Sequence, residues 1–325
     1  MASVWLYNKE LKKWSKKFKF GNIDGDFCFD PKIPLSDPLL KAISRDLKID
    51  NKYIYTSAGI SQLISAILPL DRWEEIFLPS IEFGLYERTC ILHNKKTTLI
   101  SAFSTAEFLE ELKTKNSSEN SLLCISSPRW FTGEIFSLNQ INEILSIFKG
   151  YVFIDEAYVD FSINPNHLVD LCMKNERIII ARSFSKKFIA SGLRVGYLIT
   201  KLNINGLRNT LIPPHSVSTH SISIIVKLLN DNKLLKSFDT TRKYIAENRD
   251  YIYDNLNGFD GIKIIKSSAN FITLIFDTEE KMNTAYSKIK NFVGVNKYNF
   301  NNIFFIKIWI KNLLFSKTIV NNIIK

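Results

Sequence analysis

From Tyr53 onward the apolar positions follow two alternating rhythms. The runs KYIYTS, EEIFLPS, SLLCISSP, YVFID, RIIIARS and VGYLIT predict strands. Between them SQLISAILPL, GLYERTCILHN, LNQINEILSIF and LVDLCMKN place apolar residues three and four apart, the signature of helices with one buried face. Strands recurring roughly every 25 residues with helices between them predict an α/β fold with a mainly parallel sheet. LLKAISRDL adds a helix ahead of the first strand. After about Asn230 the texture changes. KLLKSFDTTRKYIAENRDYIYDNLN predicts one long helix, and GIKIIK, NFITLIF, FVGVNKY and IFFIKIWI predict the strands of a smaller α/β unit. KMNTAYSKIKN and NLLFSKTIVNNIIK supply its helices. Three segments follow: an N-terminal arm over residues 1–35, a large domain over 36–230 and a small C-terminal domain over 231–325.

Composition narrows the class. With 325 residues and 46% apolar content the chain can bury a sizeable core and is not of disordered type. A net charge of +11 raises nucleic acid as a partner. The lysines are scattered, however, with no basic helix bearing interleaved aromatics and no helix-turn-helix or zinc-finger pattern, so none is expected. Cys28, Cys90, Cys124 and Cys172 are far apart, which suits free thiols in a reducing cytoplasm. His93, His167, His215 and His220 form no ligand cluster, so no metal is expected. The N-terminal stretch lacks the apolar core of a signal peptide, and no run of about 18 apolar residues predicts a membrane span. WLYNKELKKWSKKF reads as a packed or flexible basic arm.

The chemistry concentrates in two stretches, FIDEAYVDF (Phe153 to Phe161) and ARSFSKKFIASGLRVGYLIT (Ala181 to Thr200). A lysine among serines with an arginine two helical turns on suits a cofactor carrying both an aldehyde and a phosphate. An acidic residue ending a hydrophobic strand suits a protonated pyridine nitrogen. Together they point to pyridoxal 5′-phosphate. In a parallel sheet such chemistry gathers at the loops leaving the C-terminal ends of the strands, where TSAGIS, PSIEFG, SSPRW, DEAY and SFSKK fall.

On these motifs the chain resembles the fold-type I pyridoxal-phosphate enzymes, above all histidinol-phosphate aminotransferases and threonine-phosphate decarboxylases. The resemblance runs from about Tyr53 to Trp309. It implies that Lys186 is the Schiff-base lysine, which also moves a proton at the substrate Cα. The eight-residue step to Arg194 selects Lys186 over Lys187. Asp155 would hold the pyridine nitrogen protonated, and Tyr158 would donate to the phenolic oxygen. Ser183, Ser185 and Arg194 would bind the phosphate together with the glycine turn and helix start at Gly59, Ile60 and Ser61. Phe83 falls where relatives stack an aromatic on the pyridine ring; a core phenylalanine is the other reading.

Two positions depart from the family. Relatives usually carry Asn-Pro-Thr-Gly, whose asparagine bonds the phenolic oxygen, where this chain reads SSPRWFTG; Trp130 takes the asparagine's place. In FIKIWIKN, Lys307 stands where relatives have the arginine that clamps the substrate carboxylate, and lysine lacks the bidentate fork. Arg129 and Lys311 are nearby candidates to compensate. The resemblance therefore implies an aminotransferase for an amino acid or related amine with unusual recognition, in a specialised biosynthetic pathway, working as a cytoplasmic homodimer. Decarboxylase, lyase or oxidase chemistry on the same scaffold is the alternative. A non-catalytic binding protein is the reading from another class.

Overall fold

The computed structural model describes residues 37–188, 190–203 and 216–324. The expected N-terminal arm, Cys28 and His215 lie outside them. The chain opens with helix α1 (Asp37–Leu47) and strand β1 (Ile54–Ser57). There follow α2 (Ile60–Ile67), β2 (Glu75–Pro79), α3 (Leu85–Leu92), β3 (Thr97–Ile100) and α4 (Thr105–Lys113). Next come β4 (Ser121–Ser126), α5 (Leu138–Ile147), β5 (Tyr151–Asp155), α6 (Val169–Lys174) and β6 (Ile178–Ser183). The short α7 (Phe184–Lys187), β7 (Gly196–Thr200) and α8 (Thr219–Asn230) complete this half.

These strands form a seven-stranded sheet in the order β1-β7-β6-β5-β4-β2-β3. The pairs β2–β3, β2–β4, β4–β5 and β5–β6 are parallel, as the helical crossovers require, but β7 is antiparallel to both β6 and β1. Between Ser183 and Gly196 the chain makes only one helical turn and a 3-10 turn, too little to carry it back along the sheet before pairing again.

Both faces of the sheet are covered, which explains why its strands read as continuous apolar runs. Successive residues point to opposite sides. Val152, Ile154, Ile178 and Ile180 pack with α1, α4, α5, α6 and α8, through residues such as Ile43, Phe108, Ile144, Cys172 and Ile225. Phe153, Ile179 and Ala181 pack on the other face with Leu63 and Ile67 of α2 and Tyr86 and Cys90 of α3. β3, α4 and α8 were not foreseen from the periodicity. α4 is marked by a capping box in which Ser104 and Glu107 satisfy one another's backbone N–H.

The 25-residue helix α9 (Asn232–Leu256) leads to β8 (Ile262–Ile264), β9 (Phe271–Phe276), α10 (Glu279–Ile289), β10 (Val295–Phe300), β11 (Ile303–Trp309) and α11 (Leu313–Ile324). Its four strands form a fully antiparallel sheet, β10-β11-β9-β8, with its own core around Ile252, Leu274, Ile306 and Ile319. No helix among the described residues is long and apolar enough to cross a membrane.

Candidate active site

A cavity of about 290 Å³ opens at the C-terminal ends of β4, β5 and β6. Its wall includes Ile60, Ser61, Phe83, Trp130, Asp155, Tyr158, Ser183, Ser185, Lys186 and Arg194. Every cofactor residue named from the sequence except Gly59 is therefore brought to one place, and Gly59 lies directly beneath Arg194. A Cβ built on Gly59 would stand 2.6 Å from Arg194 Nη2, and its φ of +86° is glycine territory. The glycine thus lets a guanidinium lie close over the backbone at the start of α2, where free N–H groups already favour an anion.

The strand order sorts the donors. Ser183 ends β6, Arg194 precedes β7 and Gly59 follows β1, so the hydroxyl and guanidinium donors lie on one side of β5. Ser183 Oγ donates to Ser185 Oγ at 2.8 Å and accepts the Ser185 N–H at 3.1 Å, holding both hydroxyls together. Arg194 itself adopts a left-handed backbone (φ 52°) and donates through Nη1 to Ser191 O at 3.1 Å.

Asp155 is the last residue of β5 and is buried. Its carboxylate accepts the Ala157 N–H at 2.9 Å and the Tyr86 hydroxyl at 3.0 Å. Burial, reinforced by the nearby Glu82, nevertheless pushes its pKa up to about 7. A cationic partner would remove that penalty, which is the requirement a pyridinium nitrogen meets. Lys186 points into the same cavity, with Nζ 5.4 Å from the Tyr158 ring centre and 5.5 Å from that of Trp309. Burial lowers its pKa; Asp155 opposes this and Arg194 adds to it. A lysine held toward its neutral form is a competent nucleophile and proton carrier. Its neighbour Lys187 turns away, 3.4 Å from Asp160 and 3.6 Å from Asp46. Tyr158 is buried against Phe271 and Trp309. Phe83 is 41% exposed at the cavity wall, so the core alternative for it does not hold.

The two substrate-side candidates are placed otherwise than expected. Neither Arg129 nor Lys307 lines the cavity. Arg129 is buried and its guanidinium donates to the carbonyls of Phe103 and Ala102, both at 2.8 Å, bracing the loop after β3. Lys307 is 1% exposed. Its Nζ donates to the Trp130 carbonyl and lies 3.9 Å and 4.0 Å from the Phe271 and Trp130 ring centres. Burial drives its pKa well below the ordinary lysine value, with Glu82 opposing and Lys186 adding to the fall. Lys311 lies over the Phe315 ring at 5.0 Å.

Sequence reasoning missed Glu82, Ser126 and Trp309 in the cavity wall and Tyr86 behind Asp155. Trp309 could have been found, since it shares a strand face with Lys307 two residues earlier. Glu82 and Tyr86 flank Phe83 but carry no pattern of their own.

The described residues fit pyridoxal phosphate: an anion cradle open only because residue 59 is glycine, a buried acid lacking a cation, and an amine of lowered pKa between them. A family model, aminotransferase class I and II, matches residues 19–303. The chain belongs to the class I and II aminotransferases. As a member it is a pyridoxal-phosphate-dependent aminotransferase. Among curated relatives, the histidinol-phosphate aminotransferase of Ruminiclostridium cellulolyticum is 25% identical over 257 residues, 75% of this chain and 70% of that one. That of Caldanaerobacter subterraneus is 26% identical over 282 residues, 83% and 75%. The fold is shared with the histidinol-phosphate aminotransferase of Sinorhizobium meliloti solved with pyridoxal-5′-phosphate (TM-score 0.71, 15% identity, 89% of this chain and 80% of that one). It is shared too with the L-threonine-O-3-phosphate decarboxylase of Porphyromonas gingivalis (TM-score 0.68, 17% identity, 89% and 90%).

Proposed function

We propose that this aminotransferase acts on an amino acid or related amine whose Cα substituent is held differently from that of its relatives' substrates, in a specialised biosynthetic pathway. The observation that carries the reading is the inward turn of Lys307. The cation at the relatives' clamp position is seated against Trp130 and Phe271 and donates to a backbone carbonyl instead of facing the cavity.

When bound, the cofactor supplies an electron sink for charge developing at the substrate Cα. Lys186 would hold it covalently and, once released by substrate, take the Cα proton and return it one carbon away. Burial lowers its pKa, which favours the neutral amine that this step needs. Asp155, fixed by Tyr86 and the Ala157 N–H, would keep the pyridine nitrogen protonated. Ser183, Ser185, Arg194 and the N–H groups at Ile60 and Ser61 would hold the phosphate, and Phe83 would cover one face of the ring. Tyr158 would donate to the phenolic oxygen. The reading includes a homodimer in the cytoplasm and a division between large and small domains at Asp231, the residue separating α8 from α9.

The test is to load the protein with cofactor and offer amines and amino acids, histidinol phosphate among them. Pyridoxamine phosphate formed in step with a released carbonyl product establishes transamination and names the donor. Efficient turnover of histidinol phosphate would refute altered recognition. Carbon dioxide or peroxide without pyridoxamine phosphate would put decarboxylation or oxidation in its place.

A further inference from the structure

Glu82 is an acid in the cavity wall that none of the roles above uses. Its Oε2 accepts the Ser126 hydroxyl at 2.5 Å and the Ser126 N–H at 3.3 Å, while Oε1 accepts the Phe83 N–H at 2.9 Å. Ser126 ends β4 and is the register partner of Asp155 on β5. The same Ser126 hydroxyl accepts the backbone N–H of Trp130 at 2.6 Å. Glu82 is thereby fastened beside Asp155, on the β4 side.

This position has a chemical meaning. The phosphate donors come from β6, β7 and β1, on the opposite side of β5. In the cofactor the pyridine nitrogen, the phenolic carbon and the carbon bearing the phosphate arm sit at alternate ring positions. With the nitrogen on Asp155 and the phosphate toward β6, the phenolic oxygen faces the β4 side, where Glu82, Ser126 and Trp130 stand. Trp130 replaces the asparagine's amide with a single indole N–H on a far bulkier ring.

Resting on the reading that Lys186 and Asp155 hold pyridoxal phosphate, we propose that the Glu82 carboxyl donates a hydrogen bond to the cofactor's phenolic oxygen, in place of the amide lost to Trp130. The donor must be the neutral acid. Burial raises the Glu82 pKa, with the Ser126, Phe83 and Arg129 interactions opposing. The titratable and charged groups around it are Asp155 on β5, Tyr158 after it, Tyr86 on α3, Cys124 on β4, Arg129 after β4 and Lys307 on β11. Two carboxyls in one cavity do not both ionise readily. A pyridinium nitrogen stabilises the anion of Asp155, which leaves the proton to Glu82. Oε2 keeps both Ser126 bonds, and Oε1 carries the proton while still accepting from Phe83.

The sign of one shift tests this. A donor on the phenolic oxygen withdraws charge from it, so the proton held between the cofactor and Lys186 leaves at lower pH. The visible band of the loaded protein is titrated with pH in the parent and in Glu82→Gln, Glu82→Ala and Glu82→Met. Loss of the donor in Ala or Met should raise the band's pKa by about one unit, the worth of one such hydrogen bond. Gln keeps an N–H donor and should stay close to the parent. Were Glu82 an anion, its charge would hold that proton, and all three variants would lower the pKa. A fall, or no change in Ala or Met, overturns the proposal, and a fall in Gln overturns it even if the other two do not fold. If the parent shows no band that borohydride fixes at Lys186, the underlying cofactor reading fails and takes this proposal with it.

Discussion

The hydroxyl of Tyr86, at the start of α3, donates to Asp155 Oδ2 across 3.0 Å, linking the two faces of the loop cluster above the sheet. Tyr86 is 1% exposed, and its ring packs edge-on against Phe153. Tyr86→Phe preserves that packing and removes only the donor. A hydrogen bond to a charged group is worth about 1.5–3 kcal/mol. The expected result is a cofactor dissociation constant raised about tenfold or more, together with a loss of about 1 kcal/mol or more in the stability of the cofactor-free protein, where the same bond is already made. Titration of the visible band with pyridoxal phosphate checks both the direction and the size.

Asp155 makes the cofactor-free protein pH-sensitive. Its pKa lies near 7 against an ordinary 3.8. Between those values the folded protein holds a proton that the unfolded chain has lost, so this group's contribution to stability falls as pH rises through that window. Above about 7 the loss is complete. Asp155→Asn removes the effect, so the stability of the variant relative to the parent should climb by roughly 2–4 kcal/mol from pH 4 to pH 8. Urea unfolding of the cofactor-free proteins at several pH values measures it. A flat difference would mean the carboxyl titrates normally.

Lys186 and Lys187 separate cleanly in their surroundings, and their alanine variants should separate too. Lys186→Ala is expected to lose the borohydride-fixable band and at least about 10³-fold in turnover while remaining folded. Lys187→Ala should keep the band. It leaves Asp160 and Asp46 without their shared cation, so its unfolding free energy should drop by about 1–3 kcal/mol. The reverse pattern would reassign the lysine.

Lys307→Met tests whether that residue clamps substrate. Methionine fills a similar volume among Trp130, Phe271 and Trp309, and it removes a buried amine that burial already drives toward neutrality. Stability should change by no more than about 2 kcal/mol, and KM for the donor by no more than about threefold. A true carboxylate clamp would show a rise in KM of about 30-fold or more. Steady-state kinetics on the first donor found decides between them.

Much of this protein was legible in its sequence because the informative patterns are local. Both sheet faces are covered, so the strands appear as uninterrupted apolar runs, and the helices between them show one-sided spacing. That was enough for the α/β class, the change of texture near Asn230 and most elements. It failed at β3, where TTLI is short and half exposed, and at β7, whose direction depends on which neighbours it joins. The cofactor wall was also legible, because Asp155, Tyr158, Ser183, Ser185, Lys186 and Arg194 lie within two continuous stretches whose order survives in the chain.

Only the tertiary structure decided where the substrate-side groups point. From the sequence, Arg129 and Lys307 were candidates to hold the substrate. In the folded protein Arg129 donates to the carbonyls of Ala102 and Phe103, and Lys307 donates to that of Trp130 between aromatic faces, so neither lines the cavity. Folding likewise brought Tyr86 to Asp155 across 69 residues and Glu82 to Ser126 across 44. Separations of that kind leave no trace in local periodicity. A side chain's identity fixes which bonds it can make, but the packing of distant strands determines which partner it finds.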